Sequence, residues 1–134
     1  MRDIEFRGQR ADTGKWVFGS FHKDRNGEYL IVENSEIGLI WYKVNKKTIG
    51  QYAGLKDKNG VKIFEGDIVK VERSFILGKT LIGIIIWEDG GLLFYYKNPF
   101  HGGCGLSGLI VLQEAEVIGN IHDNPDLFEE NNAV

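Results

Sequence analysis

Leu81-Ile82-Gly83-Ile84-Ile85-Ile86-Trp87, then Glu88-Asp89-Gly90-Gly91, then Leu92-Leu93-Phe94-Tyr95-Tyr96 is the stretch that decides the fold class. Two β-branched and aromatic runs flank four residues that tolerate a tight reversal, which is the pattern of a β-hairpin. The first run lacks the apolar–polar alternation of a half-wet strand, so it is expected to be buried on both faces, as the central strand of a sheet. Lys79, Glu88 and Asp89 flank it as charged gatekeepers against aggregation.

The same reading extends outward along the chain. Glycine supplies 18 of the 134 residues, and between Gly8 and Gly119 no glycine-free window exceeds 11 residues (39–49 and 67–77). A glycine inside a helix costs about 1 kcal/mol, so long helices are not expected there. The windows hold Trp16-Val17-Phe18, Tyr29–Val32, Leu39–Tyr42 and Ile68–Val71, all rich in strand formers. Asp12-Thr13-Gly14, Asn26-Gly27 and Asn59-Gly60 provide the turns between them. In Ile68–Glu72, Val69 and Val71 are expected to face the core, with Ile68, Lys70 and Glu72 on a wet face. One helix is predicted near the C-terminus, with Asn124 as N-cap, Pro125 at the first helical position and Leu127 and Phe128 docked on the sheet. Phe100–Gly108 reads as a loop because of its glycines. The expectation is an all-β or strongly β-dominated fold, a small, partly open barrel or sheet with SH3-like character and a short C-terminal helix. It spans 1–134 as one domain, with 1–50 as an N-terminal β part and 51–130 holding the hairpin, barrel strands and helical turn.

Apolar residues make up 43% and charged residues 26%, which excludes a wholly disordered, collagenous or coiled-coil chain. No apolar stretch approaches the roughly 20 residues of a spanning helix, and Met1-Arg2-Asp3-Ile4-Glu5 does not read as a signal peptide. Cys104 is the single cysteine and cannot form an internal disulfide. These features predict a cytoplasmic protein with no membrane partner.

Three blocks, taken together, carry a family resemblance: Ile4-Glu5-Phe6-Arg7; Gln51-Tyr52-Ala53-Gly54-Leu55-Lys56-Asp57-Lys58-Asn59-Gly60 running into Ile63-Phe64-Glu65-Gly66-Asp67-Ile68-Val69; and Glu116-Val117-Ile118-Gly119-Asn120-Ile121-His122-Asp123-Asn124-Pro125-Asp126-Leu127. The chain resembles the YopX family of small phage and prophage proteins. The resemblance implies a mostly β fold and a phage or prophage origin, and it brings no catalytic residues. Gly8-Gln9 and His122 stand where that family often has Ala-Trp and Tyr. Read physically, the middle block is turn chemistry, since Asn59-Gly60 and Gly66-Asp67 are bends around short strands. Scaffold is therefore the favoured reading of it over a ligand site.

Chemistry-bearing residues are sparse. His101, Cys104, His122 and Asp123 offer a mixed donor set, but zinc sites normally need paired, closely spaced Cys or His, so no metal is expected. No nucleophile motif surrounds Cys104, and Gly102–Gly108 is not followed by the Lys-Ser/Thr of a phosphate loop. No cofactor and no enzymatic activity are expected. Charge segregation remains. Residues 43–62 hold Lys43, Lys46, Lys47, Lys56, Lys58 and Lys62 against Asp57 alone, whereas 114–130 hold six acids and no Lys or Arg. The favoured expectation is a non-enzymatic phage accessory protein that contacts itself, as a homo-oligomer, or a bacterial host or phage protein. The alternative is nucleic-acid binding, with Lys43, Lys46, Lys47, Lys56 and Lys58 on phosphates and Trp41, Tyr42 and Tyr52 as stacking platforms.

Overall fold

The computed structural model describes residues 4–72, 80–88, 91–96, 104–107 and 114–132. The chain divides into two compact units, Met1–Gly54 and Leu55–Val134. Both are built of antiparallel strands, so the protein is all-β, as two open sheets rather than a closed barrel.

Unit 1 contains β1 (Phe6–Gln9), β2 (Trp16–Lys23), β3 (Tyr29–Ser35), β4 (Gly38–Lys43) and a 3-10 turn (Lys46–Thr48). It ends within β5 (Gly50–Lys56). The strands lie in the order β4-β3-β2-β1-β5, and β6 (Lys62–Phe64), in unit 2, follows β5 in the sheet order. The registers place Phe21 opposite Ile31, and Ile31 opposite Tyr42. Opposed residues share a face, so alternate positions on these strands build one core. Val17, Ile31 and Val44 form its buried centre, with Phe6, Tyr29, Tyr42 and Ile49 packed around them. The rings of Phe6, Phe21 and Tyr29 stand in a row at 5.6 and 5.7 Å centroid spacing. The 3-10 turn falls in the 39–49 glycine-free window, where Asn45 Oδ1 caps it by accepting the Lys47 N–H at 3.0 Å.

Unit 2 adds β7 (Asp67–Val71), β8 (Leu81–Glu88), β9 (Gly91–Tyr96), β10 (Cys104–Ser107), β11 (Ala115–Asn120) and α1 (Pro125–Asn132). Their order, β10-β9-β8-β7-β11, puts β8 in the middle, as the sequence predicts. The hairpin pairs β8 with β9 from Gly83↔Tyr96 to Glu88↔Gly91. One face of this sheet is closed by Val69, Val71, Leu81, Ile85, Phe94 and Ala115, none more than 6% exposed. The other face is only partly covered at β8, where Ile82, Ile84 and Ile86 are half-buried, so the expectation of full burial on both faces holds on one.

Three further expectations are corrected or refined. Ile68, assigned to a wet face, is fully buried, leaving Lys70 and Glu72 as the outward residues of that end of the sheet, paired at 3.2 Å. The glycine-rich stretch expected to be a loop contains β10, because Cys104–Ser107 pair with Leu93–Tyr96 of β9; the remainder of Phe100–Gly108 lies outside the described residues. A neighbouring strand supplies the order that local propensity lacks. The C-terminal helix starts at Pro125 as predicted, with the Leu127 N–H donating to the Asn124 carbonyl at 3.1 Å and the Phe128 ring 6.2 Å from that of Tyr95.

Candidate functional site

The most recognisable block of the sequence turns out to be internal bracing. Asp57, 6% exposed, accepts the Asn59 and Val61 N–H groups on Oδ1 at 2.8 and 2.9 Å, and the Val117 N–H on Oδ2 at 3.0 Å. One carboxylate thus closes the β5–β6 turn and ties it to β11. Burial pushes this carboxyl up, but the N–H groups of Val117, Val61 and Asn59, with Lys58 nearby, more than reverse that and hold it below the ordinary aspartate value. Gly60, at φ +82, supplies the left-handed residue of the turn. Asp67, 1% exposed, accepts the Phe64 N–H at 2.8 Å. In the third block Asn120 Oδ1 accepts the N–H groups of His122 and Asp123 at 3.0 and 2.9 Å. A Cβ on Gly119 would stand 2.6 Å from Asn124 Oδ1, so a larger residue here would have to displace the Asn124 side chain. The side chains of Asp57, Asp67 and Asn120 are thus used within the fold.

The β2–β4 end of unit 1 carries several large exposed apolar side chains. Tyr42 and Ile40 share the core face with Ile31, so Leu39, Trp41 and Lys43 share the opposite one. Leu39 is 62% exposed, Trp41 53%, Phe18 43%, and Ile37, in the β3–β4 turn, 90%. The His22 ring meets Trp41 edge-on at 5.4 Å. Exposed apolar side chains gathered on one sheet face are the ordinary mark of a contact surface.

The sequence-selected residues divide between the units. Lys43, Lys46, Lys47, Trp41, Tyr42 and Tyr52 lie in unit 1, and Lys56 and Lys58 in unit 2. Of the aromatics, only Trp41 presents an open ring. Tyr52 is buried, and Tyr42 packs on the core cluster beneath the Arg10 guanidinium at 4.9 Å. Lys43 Nζ holds Glu28 at 2.7 Å, and the carboxylate raises its pKa. Lys46 Nζ sits 5.5 Å from the Tyr29 ring centre. Lys58 donates its backbone N–H to the Ala115 carbonyl at 3.0 Å and approaches Glu116 with its ammonium at 3.9 Å. Lys56 and Lys47 are exposed. The formal charge also divides, with nine Lys/Arg against seven Asp/Glu in unit 1 and seven against twelve in unit 2.

Of the weighed metal donors, His101 lies outside the described residues, Cys104 falls on β10, and Asp123 Oδ2 accepts from Asn120 Nδ2 at 3.1 Å. Among the described residues no group of three or more His, Cys, Asp or Glu is arranged to hold a metal ion. No helix among them is long and apolar enough to cross a membrane. Sequence reasoning missed Leu39 and Ile37 as surface residues. The available signal was the alternation of Leu39, Trp41 and Lys43 across a strand that begins at Gly38.

The fold is that of an all-β protein of two antiparallel sheets, in which Asp57, Asp67 and Asn120 brace turns. The chain belongs to the YopX protein family, which matches residues 5–129. It is similar in structure to protein EF1440 from Enterococcus faecalis, at 23% identity and a TM-score of 0.56, over 96% of this chain and 99% of that one. It is likewise similar to the protein YopX from Bacillus subtilis, at 17% identity and a TM-score of 0.57, over 96% and 97% of the two chains. No curated protein sequence matches it.

Proposed function

We propose that this protein is a non-enzymatic contact module, which binds a second copy of itself or a phage or host protein through the β2–β4 end of unit 1. The observation that carries the reading is the open apolar set Leu39, Trp41 and Ile37 on the terminal strand and its turn. Exposed apolar side chains clustered in this way mark contact surfaces. The turn chemistry of the family blocks supports the same reading, because it engages Asp57, Asp67 and Asn120 inside the fold.

Nucleic-acid binding is the second reading, favoured by the open Trp41 ring in the same unit as Lys43, Lys46 and Lys47. Against it, Lys43 is held by Glu28, and two of the three proposed stacking rings are buried or packed on the core. Light scattering over a concentration series, beside a mobility-shift assay with single-stranded DNA at two salt concentrations, separates the two. Self-association or binding to an added protein, without a shift of the DNA, is expected. Salt-sensitive DNA binding by a monomer would overturn the proposal.

A further inference from the structure

We infer that the partner is a second copy of this chain, joined by antiparallel pairing of β4 with β4 about a two-fold axis at Ile40. The inference rests on the contact-module reading and names its occupant.

The argument starts from the backbone. The Val44 N–H donates to the Tyr29 carbonyl at 3.0 Å, and the register continues through Ile31↔Tyr42 and Glu33↔Ile40 to Ser35↔Gly38. In an antiparallel ladder alternate pairs exchange hydrogen bonds, so Gly38, Ile40 and Tyr42 turn their N–H and C=O toward β3. Leu39, Trp41 and Lys43 turn theirs to the open side. There the Lys43 carbonyl is already taken by the Ala11 N–H at 2.9 Å. β4 ends its sheet among the described residues, so the groups left unmatched are the N–H and C=O of Leu39 and Trp41, with the Lys43 N–H.

A two-fold register centred on Ile40 sets Leu39 opposite Trp41 of the second copy, and Trp41 opposite its Leu39. Those two pairs exchange four hydrogen bonds and use every unmatched group of Leu39 and Trp41. Moving the centre to Trp41 would require the Lys43 carbonyl that Ala11 holds. Moving it to Leu39 would require Ile37, which lies in the turn. The side chains agree with the Ile40 register, since on the outer face each Leu39 meets the other copy's Trp41 ring, an apolar cross-strand pair. The Glu36-Ile37 turn of one copy is brought toward Lys43 of the other, an acid toward a lysine. Ile37, Leu39 and Trp41 expose on the order of 400 Å² per copy. With the paired backbones, two copies reach about the 1,000 Å² of a specific interface.

The full-length chain in a Cys104→Ser background tests this. At the two-fold axis Ile40 faces Ile40 in a non-hydrogen-bonded pair, about 4.5 Å between Cα atoms, inside the range a disulfide spans. Ile40→Cys is therefore expected to give a disulfide-linked dimer under mild oxidation, while Phe18→Cys, exposed but two strands away, gives none at the same rate. Leu39→Lys and Trp41→Lys, at exposed positions, are expected to halve the mass of the otherwise dimeric protein in light scattering, with an unchanged circular dichroism spectrum. A dimer indifferent to both lysine variants, with no Ile40→Cys crosslink, overturns the β4 pairing but leaves self-association through another surface. A chain that is monomeric at every concentration overturns the pairing outright, and salt-sensitive DNA binding by that monomer removes the contact-module reading as well.

Discussion

At Asp57 one side chain does the work of a small covalent tie. Its two oxygens accept three backbone N–H groups drawn from the β5–β6 turn and from β11, sixty residues on. Asp57→Asn keeps one carbonyl oxygen but puts an NH₂ where Oδ2 meets the Val117 N–H, setting donor against donor. A loss of about 1–3 kcal/mol in urea denaturation is expected. The carboxyl also makes stability depend on pH. Its folded pKa lies below that of the unfolded chain, about 3.9 for aspartate, so the stabilisation is complete above that value and is lost as pH falls through the folded pKa. Denaturation midpoints should therefore fall more steeply for the wild type than for Asp57→Asn between about pH 4 and pH 2. Equal slopes would show that the carboxylate is not held as described. The Asn59-Gly60 turn itself is readable, because Gly and Asn announce a left-handed residue. That Asp57 reaches β11 is not, since the Val117 N–H comes near only through tertiary pairing.

Among the elements, the legible strands are those whose side chains declare them. β8 reads as central because its run Leu81–Trp87 is apolar throughout and holds four isoleucines. The strands that escape are short or glycine-bearing. β1 is Phe-Arg-Gly-Gln, β5 holds Gly50 and Gly54, and β10 is Cys-Gly-Leu-Ser. Each is ordered by a neighbour's ladder rather than by its own propensity. The faces of β8 give a prediction sharper than its position does. Ile85 is fully buried opposite Phe94, itself fully buried, whereas Ile84 is half-buried. Ile85→Asp should cost more than about 4 kcal/mol and leave unit 2 unfolded, because its carboxylate has no partner there. Ile84→Asp should cost less and remain measurably folded. Thermal melts followed by near-ultraviolet circular dichroism distinguish the two, and equal destabilisation would mean that both faces are equally covered.

For the whole molecule, charge is legible as a count and illegible as a surface. The lysine-rich run 43–62 looks continuous in sequence, yet it divides between the units. Within unit 1, Lys43 is held by Glu28 and Lys46 stands near Tyr29. What separates a phosphate-binding lysine from a rim lysine at a protein contact is the size of the salt effect. A protein with six or more phosphate contacts loses about a thousandfold in affinity between 50 and 200 mM salt, whereas an exposed ion pair contributes about 0.2–1 kcal/mol, a few-fold at most. In the β4-paired dimer the Glu36 turn of one copy approaches the lysine end of the other copy's β4. Lys46→Glu with Lys47→Glu is therefore expected to weaken self-association by a few-fold at low salt and by less at high salt. Glu36→Lys added to that pair should restore part of the loss. Sedimentation at two salt concentrations measures both effects. If the lysine variant leaves association untouched but abolishes a steep, salt-sensitive affinity for single-stranded DNA, the lysines contact phosphate and the contact surface of unit 1 is a nucleic-acid surface.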